Sequence, residues 1–335
     1  MRAFARLTLI AAAAIALSAL VSHVAVRVLK LKVTMLQHRV FRAGEKPVGT
    51  TIFGSSTAFD GVAWKTVAGS LGDSLESWPV GGGSPLEWRA IQRRQPATGR
   101  VFVVVSPIDM DDHFLCEFRA NLISIPEAVR DFPEGPGGWP FAGRLVDQYT
   151  LSFTRVLYPT AGRADGVMMG GRRLVARLAG RRDVGDSVTG RGLYQDEPSD
   201  ITERVSDWSA GRLEKELADM RSRSLGRHYF LGQKYRALVR LIHEVGEPGR
   251  VVLAVIPLSQ AYWNQLLNPE DRREFQEMVG RVAKECPGIL VLRNDQLPEL
   301  LDDGMFRDLA HMNMFGQRAS TAAFLRGVTG APPAP

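Results

Sequence analysis

The sequence is poor in cysteine, with only Cys116 and Cys286 among 335 residues. The two thiols either form one disulfide or stay free and buried, and we favour the free state. The chain shows no Cys/His spacing typical of a zinc site, no nucleic-acid-binding motif and no internal repeat. These absences exclude a disulfide-stapled scaffold, a zinc-ribbon module and a repeat protein. We expect no metal, no organic cofactor and no nucleic-acid partner.

The chain also lacks an excess of acidic residues. It has 42 Lys and Arg against 36 Asp and Glu, which gives a net charge of +6. This basicity suits an anionic glycan, a phospholipid surface or a nucleic acid and does not choose among them. A hydrophobic content of 45% and a charged content of 23% are those of a folded protein. The length allows one large domain or two small ones.

Charge is nearly absent from LTLIAAAAIALSALVSHVAVRVL, residues 7–29, where Arg27 lies near the end. The segment is long enough to cross a bilayer, and an arginine at its end can reach the interface. A cleaved signal peptide, cut near Ala16 and Ala19, is the alternative. Because the apolar character continues past these alanines, we expect an uncleaved signal anchor over residues 1–32.

Positive charges flank this segment on both sides, with Arg2 and Arg6 before it and Lys30 and Lys32 after it. Charge therefore leaves the orientation open. A first apolar segment with a basic start commonly exports the chain that follows. We therefore expect a single-pass protein of the cytoplasmic membrane whose domain faces the periplasm or the cell exterior.

Short apolar runs alternate with helical patterns after a connector at residues 33–47, which predicts an α/β domain with a parallel sheet over residues 48–330. Residues 120–230 are rich in Gly and Arg without clear strands, and we expect a helical basic insertion there. The predicted strands are VGTTIFG, ESWPV, RVFVVV, RVVLAVIPL and GILVLRN. The predicted helices span residues 60–68, with Asp60 as cap and Gly69 or Gly72 as stop, and residues 85–95, 233–244, 269–284 and 314–326.

Two stretches offer a candidate nucleophile, TTIFGSSTAFDG at residues 50–61 and LGDSLES at residues 71–77. A nucleophilic serine in an α/β sheet follows a strand at a tight turn. The first stretch has this context, since a strand and a glycine precede Ser55 and Ser56. The letters GDSL in the second stretch follow the end of a predicted helix, so we expect Ser74 to be a solvated loop residue.

A second catalytic element lies near the C-terminus, where Asp308 and His311 are three residues apart. This spacing places a carboxylate against one imidazole nitrogen and leaves the other nitrogen for a serine hydroxyl. Alone, such a pair is more often a capping aspartate and a surface histidine. Together with the serine after the first strand, it predicts a Ser–His–Asp triad.

These pieces resemble the SGNH (GDSL-like) hydrolase superfamily, and in particular its membrane-anchored branch whose first motif is Gly-Ser-Ser. The resemblance covers about residues 48–112 and 230–326 and leaves the insertion unmatched. It implies a three-layer, flavodoxin-like SGNH-type domain. The matching pieces are Gly54-Ser55-Ser56, Gly81-Gly82-Gly83-Ser84-Pro85 and Asp308-Leu309-Ala310-His311.

The resemblance implies a role for each site residue. Ser56 is the implied nucleophile, His311 the general base and Asp308 its orienting partner, with Ser55 as the alternative nucleophile. The N–H groups of Ser56 and Gly83 are the implied oxyanion donors.

One block departs from the superfamily pattern. The third strand ends in VVVSPIDMDD, and Ile108 stands where relatives have an asparagine that donates to the oxyanion. Asn121 or Ser106 could replace that donor, the oxyanion hole could have two donors, or catalysis could be lost. The same stretch continues as DMDDHF, residues 109–114, which we interpret as a polar loop rather than a metal site.

The implied function is that of a membrane-anchored, extracytoplasmic serine esterase or O-acyltransferase. It would act on acyl groups of a cell-envelope glycan through an acyl-serine intermediate, and a membrane-bound acyltransferase is a compatible partner. The alternative is a catalytically silent SGNH-like component that binds or assembles an envelope-polysaccharide machine. The loss of the asparagine and the basic insertion also suit this alternative.

Overall fold

The computed structural model describes residues 2–28, 50–73, 75–79, 83–113, 200–223 and 228–330. The chain divides into two compact units, residues 1–42 with 143–192, and residues 43–142 with 193–335. The connector at residues 33–47 and most of the predicted insertion lie outside the described residues. The predictions for Ser74, Gly81, Gly82, Cys116 and Asn121 also fall outside them.

Helix α1, Arg2–Val28, is the described part of the first unit. Among the described residues, no helix combines the length and the apolar character that a membrane crossing requires. The predicted transmembrane helix is therefore not supported by the structure.

The second unit is built on a parallel sheet of five described strands in the order β2-β1-β3-β4-β5. This confirms the predicted α/β class. Strands β1, β3 and β4 are buried at every position, which explains their continuous apolar sequences. The strands are β1 Thr50–Gly54, β2 Leu75–Pro79, β3 Val101–Val105, β4 Val251–Val255 and β5 Leu290–Arg293.

Helices follow the strands along the chain, as the alternating pattern predicts. Four of the five predicted helices agree with the structure to within one turn. The helices of this unit are α2 Ser56–Gly61, α3 Trp64–Leu71, α4 Pro85–Arg94, α5 Pro107–Met110, α6 Ala210–Arg223, α7 Gln233–Val245, α8 Gln260–Gln265, α9 Pro269–Glu285 and α10 Met314–Thr329. Short 3₁₀ turns span Val205–Asp207, Pro248–Arg250, Asn294–Gln296, Pro298–Leu300 and Asp303–Met305.

Both faces of the sheet are covered. On one face, the rings of Trp64, Phe102 and Phe324 lie with centroids 5.0 to 5.7 Å apart, beneath α2, α3 and α10. Alternate strand residues such as Phe53 and Leu253 point to the opposite face and are also fully buried. Helices α4, α7 and α9, which pack together, provide this second layer.

The predicted single helix at residues 60–68 is wrong, because the structure has two helices there, α2 ending at Gly61 and α3 beginning at Trp64. Helix α2 begins earlier, at Ser56, because the side chain of Ser55 accepts a hydrogen bond from the Thr57 N–H and caps it. Asp60 consequently lies inside α2 rather than at a cap. The stop at Gly72 is confirmed, since this residue has the left-handed φ of 63° that ends α3.

Two buried aspartates of the DMDDHF stretch, Asp111 and Asp112, anchor the chain where it returns from the insertion. Asp111 accepts hydrogen bonds from His228 Nδ1 at 2.8 Å and from the Tyr229 N–H at 3.1 Å. Asp112 accepts from the N–H groups of Gln233 and Lys234, the first two residues of α7, at 2.6 and 2.9 Å. The part of the chain that the structure describes contains no His, Cys, Asp and Glu cluster able to hold a metal ion.

Candidate active site

The turn after β1 determines where the candidate nucleophile lies. Gly54 ends the strand, and a Cβ at this position would lie 2.3 Å from the Cβ of Ala58, so the turn needs glycine. Ser55 caps α2 and Ser56 is the first helical residue. The N–H of such a residue is one of those that a helix leaves without an intrahelical partner. The turn therefore holds a hydroxyl and a backbone donor on the same residue, Ser56.

A continuous hydrogen-bonded chain joins Ser56, His311 and Asp308. Ser56 Oγ lies 2.8 Å from His311 Nε2, and His311 Nδ1 lies 2.9 Å from each carboxylate oxygen of Asp308. Asp308 also accepts from the N–H groups of Ala310 and His311, which fix the carboxylate within its own loop. The structure thus brings together the three residues of the predicted triad.

The protonation of the triad follows from these contacts. Burial raises the pKa of Asp308, but the hydrogen bond and charge of His311 outweigh burial and lower this pKa to about 2. Burial likewise lowers the pKa of His311, yet Asp308 outweighs it and holds this pKa above its usual value. Asp308 is therefore ionised at neutral pH and accepts from Nδ1–H. In the neutral imidazole, Nε2 is then free to accept the Ser56 proton.

Ser55, the alternative nucleophile, faces away from this chain. Ser55 is 1% exposed, and its Oγ lies 2.8 Å from Thr57 Oγ1 and accepts a hydrogen bond from the Thr57 N–H. The two serines consequently have separate roles in the turn. Ser55 closes the turn as a cap, while Ser56 points to the histidine.

The first two residues of the GDSL letters, Gly72 and Asp73, do not line the pocket in front of Ser56. Gly72 is the left-handed residue that ends α3. The next residue, Asp73, donates its N–H to the Ala68 carbonyl and accepts a hydrogen bond from the Thr50 hydroxyl. Asp73 therefore stabilises the connection between α3 and the sheet.

A pocket of about 320 Å³ opens in front of Ser56. Four of its lining residues come from α6, in the described end of the insertion, at positions i, i+3, i+4 and i+7, which share one helix face. The sequence analysis missed this wall. The signal available was the amphipathic spacing of RLEKELADMRSR. The lining residues are Ser55, Ser56, Thr57, Ile108, Asp109, Glu216, Asp219, Met220, Arg223, Asp308, Leu309, Ala310 and His311.

The structure describes three of the predicted oxyanion donors, Ser56, Gly83 and Ser106. Ile108 lines the pocket, and its alkyl side chain has no hydrogen-bond donor. Ser106 is fully buried and donates its hydroxyl to Asp109 at 2.8 Å, so it does not replace the asparagine. Gly83 precedes the start of α4 and is not among the lining residues, so its role stays a prediction. The Ser56 N–H is the donor that the turn itself supplies.

Asp109 braces the nucleophile turn from beneath. Its Oδ2 accepts from the Ser106 N–H and hydroxyl, both at 2.8 Å, and from the Thr57 hydroxyl at 3.1 Å. Burial raises the pKa of Asp109, and hydrogen bonds from Ser55 and Ser106 partly offset the rise. The carboxyl group thereby ties the turn after β1 to the turn after β3.

Two further charged residues stand beside the triad and were not predicted as site residues. Asp60 Oδ2 lies 4.0 Å from His311 Nε2, and Arg307 Nη2 donates to the same Asp60 oxygen at 2.8 Å. Arg307 is next to Asp308 in the chain, but Asp60 comes from α2. No local pattern links these positions, so only the folded chain shows them together.

Comparison with known proteins adds no family. No protein-family model matches this chain, and no curated protein matches its sequence. The functional proposal therefore depends on the geometry of the chain's own residues.

Proposed function

We propose that the protein is an SGNH-type serine esterase or O-acyltransferase that works through an acyl-serine intermediate at Ser56. One observation carries the proposal, namely the Ser56–His311–Asp308 chain with successive distances of 2.8 and 2.9 Å at the wall of a pocket. A hydroxyl within 3 Å of an imidazole nitrogen, with a carboxylate on the other nitrogen, is the arrangement that activates a serine.

The fold supports the same proposal. The strand order β2-β1-β3-β4-β5 is flavodoxin-like. In such sheets, ligands bind at the topological switch point, where successive connections leave in opposite directions. That point lies between β1 and β3. Ser56 follows the carboxyl end of β1, and Ile108 and Asp109 follow that of β3. The pocket therefore occupies the part of the sheet where a ligand is expected.

The acylation step follows from the contacts. Ser56 Oγ forms a bond to the acyl carbon as its proton passes to His311 Nε2, and the carbonyl electron pair moves onto oxygen. The imidazolium is stabilised by the Asp308 carboxylate, and the Ser56 N–H donates to the oxyanion. When the oxyanion collapses, the bond from the acyl carbon to the leaving alkoxide breaks. His311 gives its proton to that alkoxide, and the acyl-serine remains.

The second step reverses these roles. A hydroxyl group, from water or from a sugar, gives its proton to His311 Nε2 while its oxygen bonds to the acyl carbon. The bond to Ser56 Oγ then breaks, and the proton returns to that oxygen. Water as the nucleophile makes the protein an esterase, whereas a sugar hydroxyl makes it an O-acyltransferase.

The pocket supports a small acyl group as the transferred unit. Its apolar walls come from Ile108, Met220, Leu309 and Ala310, and its volume is about 320 Å³. We extend the proposal to an extracytoplasmic cell-envelope glycan as the ester substrate, with a membrane-bound acyltransferase as partner. The net charge of +6 suits an anionic polymer of this kind.

Ile108 favours a second candidate function, a catalytically silent protein of the same fold that binds an envelope polysaccharide. An isoleucine cannot donate to an oxyanion, and removal of one such donor typically lowers kcat by about 10² to 10³. Fluorophosphonate labelling distinguishes the two functions, because the reagent reacts with an activated serine and not with an idle one.

The test is labelling of the purified full-length chain with a fluorophosphonate, mapped by peptide mass spectrometry. We expect modification of Ser56 that is lost in Ser56→Ala and His311→Ala. Ser74→Ala, which changes the serine of the GDSL letters, is the matched control and should label as the wild type does. Modification of Ser55 or Ser74 would show that the wrong serine was assigned. A folded protein without label would favour the silent binding protein.

A further inference from the structure

We infer that Asp60 and Arg307 form a positioning pair for the general base, in which Asp60 faces the histidine nitrogen that takes the proton. This inference rests on the proposed function, since it concerns the proton that His311 takes from Ser56. Neither residue belongs to the triad, and they lie 247 positions apart in the chain.

The geometry places Asp60 on the reacting side of the imidazole. His311 Nε2 has Ser56 Oγ at 2.8 Å and Asp60 Oδ2 at 4.0 Å. The side chain of Asp60 is 12% exposed, so its charge is poorly screened by solvent. Asp308 contacts the opposite nitrogen, Nδ1. The ring therefore lies between two carboxylates, one for each nitrogen.

Arg307 connects the two carboxylates. Its Nη2 donates to Asp60 Oδ2 at 2.8 Å, and its Nε lies 3.7 Å from Asp308 Oδ2. With neutral His311, the two carboxylates and one guanidinium carry a single net negative charge. When the imidazole takes the Ser56 proton, the cluster becomes neutral. Proton transfer to His311 therefore neutralises this cluster while the negative charge moves to the oxyanion of the tetrahedral intermediate.

The two members of the pair act on the imidazole in opposite directions. After the opposed contributions of burial and Asp308, the negative charge of Asp60 raises the pKa of His311 and the positive charge of Arg307 lowers it. Asp60 thus favours the imidazolium formed during acylation. Arg307 holds Asp60 in place and limits the rise, so that the resting imidazole can still accept a proton.

Other charged groups face the same pocket. Asp109 lies beneath the turn and is buried, and the helix α6 contributes three residues at the opposite wall. Of these three, Asp219 and Arg223 pair with each other at 2.6 Å, and both are about half exposed. The remaining α6 residue is Glu216, which is partly exposed. Solvent screens these three α6 groups more strongly than it screens Asp60.

The experiment measures the pH dependence of kcat/KM for p-nitrophenyl acetate hydrolysis by the full-length chain, because this profile reports the free-enzyme base. In Asp60→Asn the midpoint should move to lower pH and the plateau rate should fall. In Arg307→Gln the midpoint should move to higher pH. The double variant should have a midpoint between those of the single variants. If the ion pair were merely structural, both single variants would lose the same share of the rate. Their pH midpoints would then not move in opposite directions.

A matched control exists in the same unit. Arg293 and Asp295 form an ion pair at 2.7 Å with side chains 25% and 2% exposed, close to the burial of the Arg307–Asp60 pair, and neither lines the pocket. Arg293→Gln and Asp295→Asn should leave the midpoint unchanged. If a variant of the positioning pair folds poorly, Arg307→Lys keeps the charge and should move the midpoint less than Arg307→Gln.

A direct titration separates this inference from the proposed function. The imidazole of His311 can be followed by NMR in histidine-labelled protein, with and without each substitution, whether or not the chain hydrolyses an ester. If the two substitutions move the pKa of His311 in opposite directions, the inference is supported even in an inactive protein. If both move this pKa in the same direction, or no further than the control substitutions do, the inference is overturned. A wild-type chain without esterase activity or label contradicts only the proposed function.

Discussion

Replacement of Asp308 by Asn should separate the catalytic role of this carboxylate from its structural role. Asp308 accepts from three N–H groups, those of His311 Nδ1, the His311 backbone and the Ala310 backbone, at 2.8 to 2.9 Å. An amide has one acceptor oxygen, so its NH₂ group must face one of these donors. The imidazole can relieve this conflict by carrying its proton on Nε2, where it can no longer accept from Ser56.

The stability cost of this substitution is small. The hydrogen bond and charge of His311 outweigh burial and lower the pKa of Asp308 from 3.8 to about 2, which corresponds to about 2.4 kcal/mol. Because the side chain is 39% exposed, solvent screening reduces this to about 1 kcal/mol. The folded-state pKa lies below the unfolded one, so this stabilisation is present above about pH 4 and is lost as the pH falls towards 2.

The rate cost should be much larger, because the imidazolium of the transition state carries a full charge beside the missing carboxylate. The corresponding change in a serine protease lowers kcat by about 10⁴ through the wrong tautomer. We expect a loss of about 10³ to 10⁴ in the fluorophosphonate labelling rate for Asp308→Asn. Urea unfolding at pH 7 should show a loss of only about 1 kcal/mol.

The two assays together test the assignment. Asp302→Asn, a carboxylate that caps a nearby 3₁₀ turn without lining the pocket, is the matched control and should retain the labelling rate. A variant of Asp308 that unfolds at the wild-type urea concentration and labels at the wild-type rate would refute the role of Asp308. The role of Asp308 would also be refuted if the unfolded fraction of Asp308→Asn accounted for its whole loss of labelling.

Three further predictions concern other parts of the same unit. Both ring nitrogens of His228 face acceptors, Asp111 at 2.8 Å and the Leu266 carbonyl at 3.2 Å. Burial lowers the pKa of His228, but the hydrogen bond and charge of Asp111 outweigh burial, so the net shift of this pKa is upward. Its stabilisation is therefore complete below about pH 6.5 and is lost as the pH rises through the folded-state pKa, so urea unfolding of His228→Gln should lose about 3 kcal/mol near pH 6 and less at pH 9. Met220→Ala should shift the preferred p-nitrophenyl ester to a longer acyl chain and Met220→Trp to a shorter one, whereas an unchanged profile would remove Met220 from the acyl pocket. Gly54→Ala should cost about 1 to 3 kcal/mol in urea unfolding and slow the labelling of Ser56, because its Cβ would overlap that of Ala58, and wild-type stability would contradict this clash.

The parallel sheet was predictable because its signal is local. Strands buried on both faces read as continuous apolar runs, such as VFVVV and VVLAV, and helices begin and end at capping residues. The error at Asp60 shows the limit of this approach. An aspartate followed by a helical pattern reads as an N-cap, but Asp60 lies inside α2, which Ser55 caps, and the following helix α3 begins only at Trp64.

The position of Ser56 directly after a strand could also be predicted, since it depends only on the residues that precede this serine. The Asp308–His311 pair is equally local, because three residues span one turn of chain. The contact between Ser56 and His311 could not be predicted in this way. These residues are 255 positions apart in the chain, and no local spacing rule covers that range. Their contact at 2.8 Å results from the packing of α10 and its preceding loop against α2.

By itself, the sequence determined the α/β class, the position of the strand–serine turn and the pairing of Asp308 with His311, since each depends on neighbours along the chain. The tertiary structure decided which serine hydroxyl faces the imidazole, that α6 closes the pocket, and that Asp60 and Arg307 stand beside the base. These features join residues from distant segments, and their geometry follows from how whole helices pack on the sheet. Side-chain chemistry can be read from letters, but its alignment within 3 Å is a property of the packed chain.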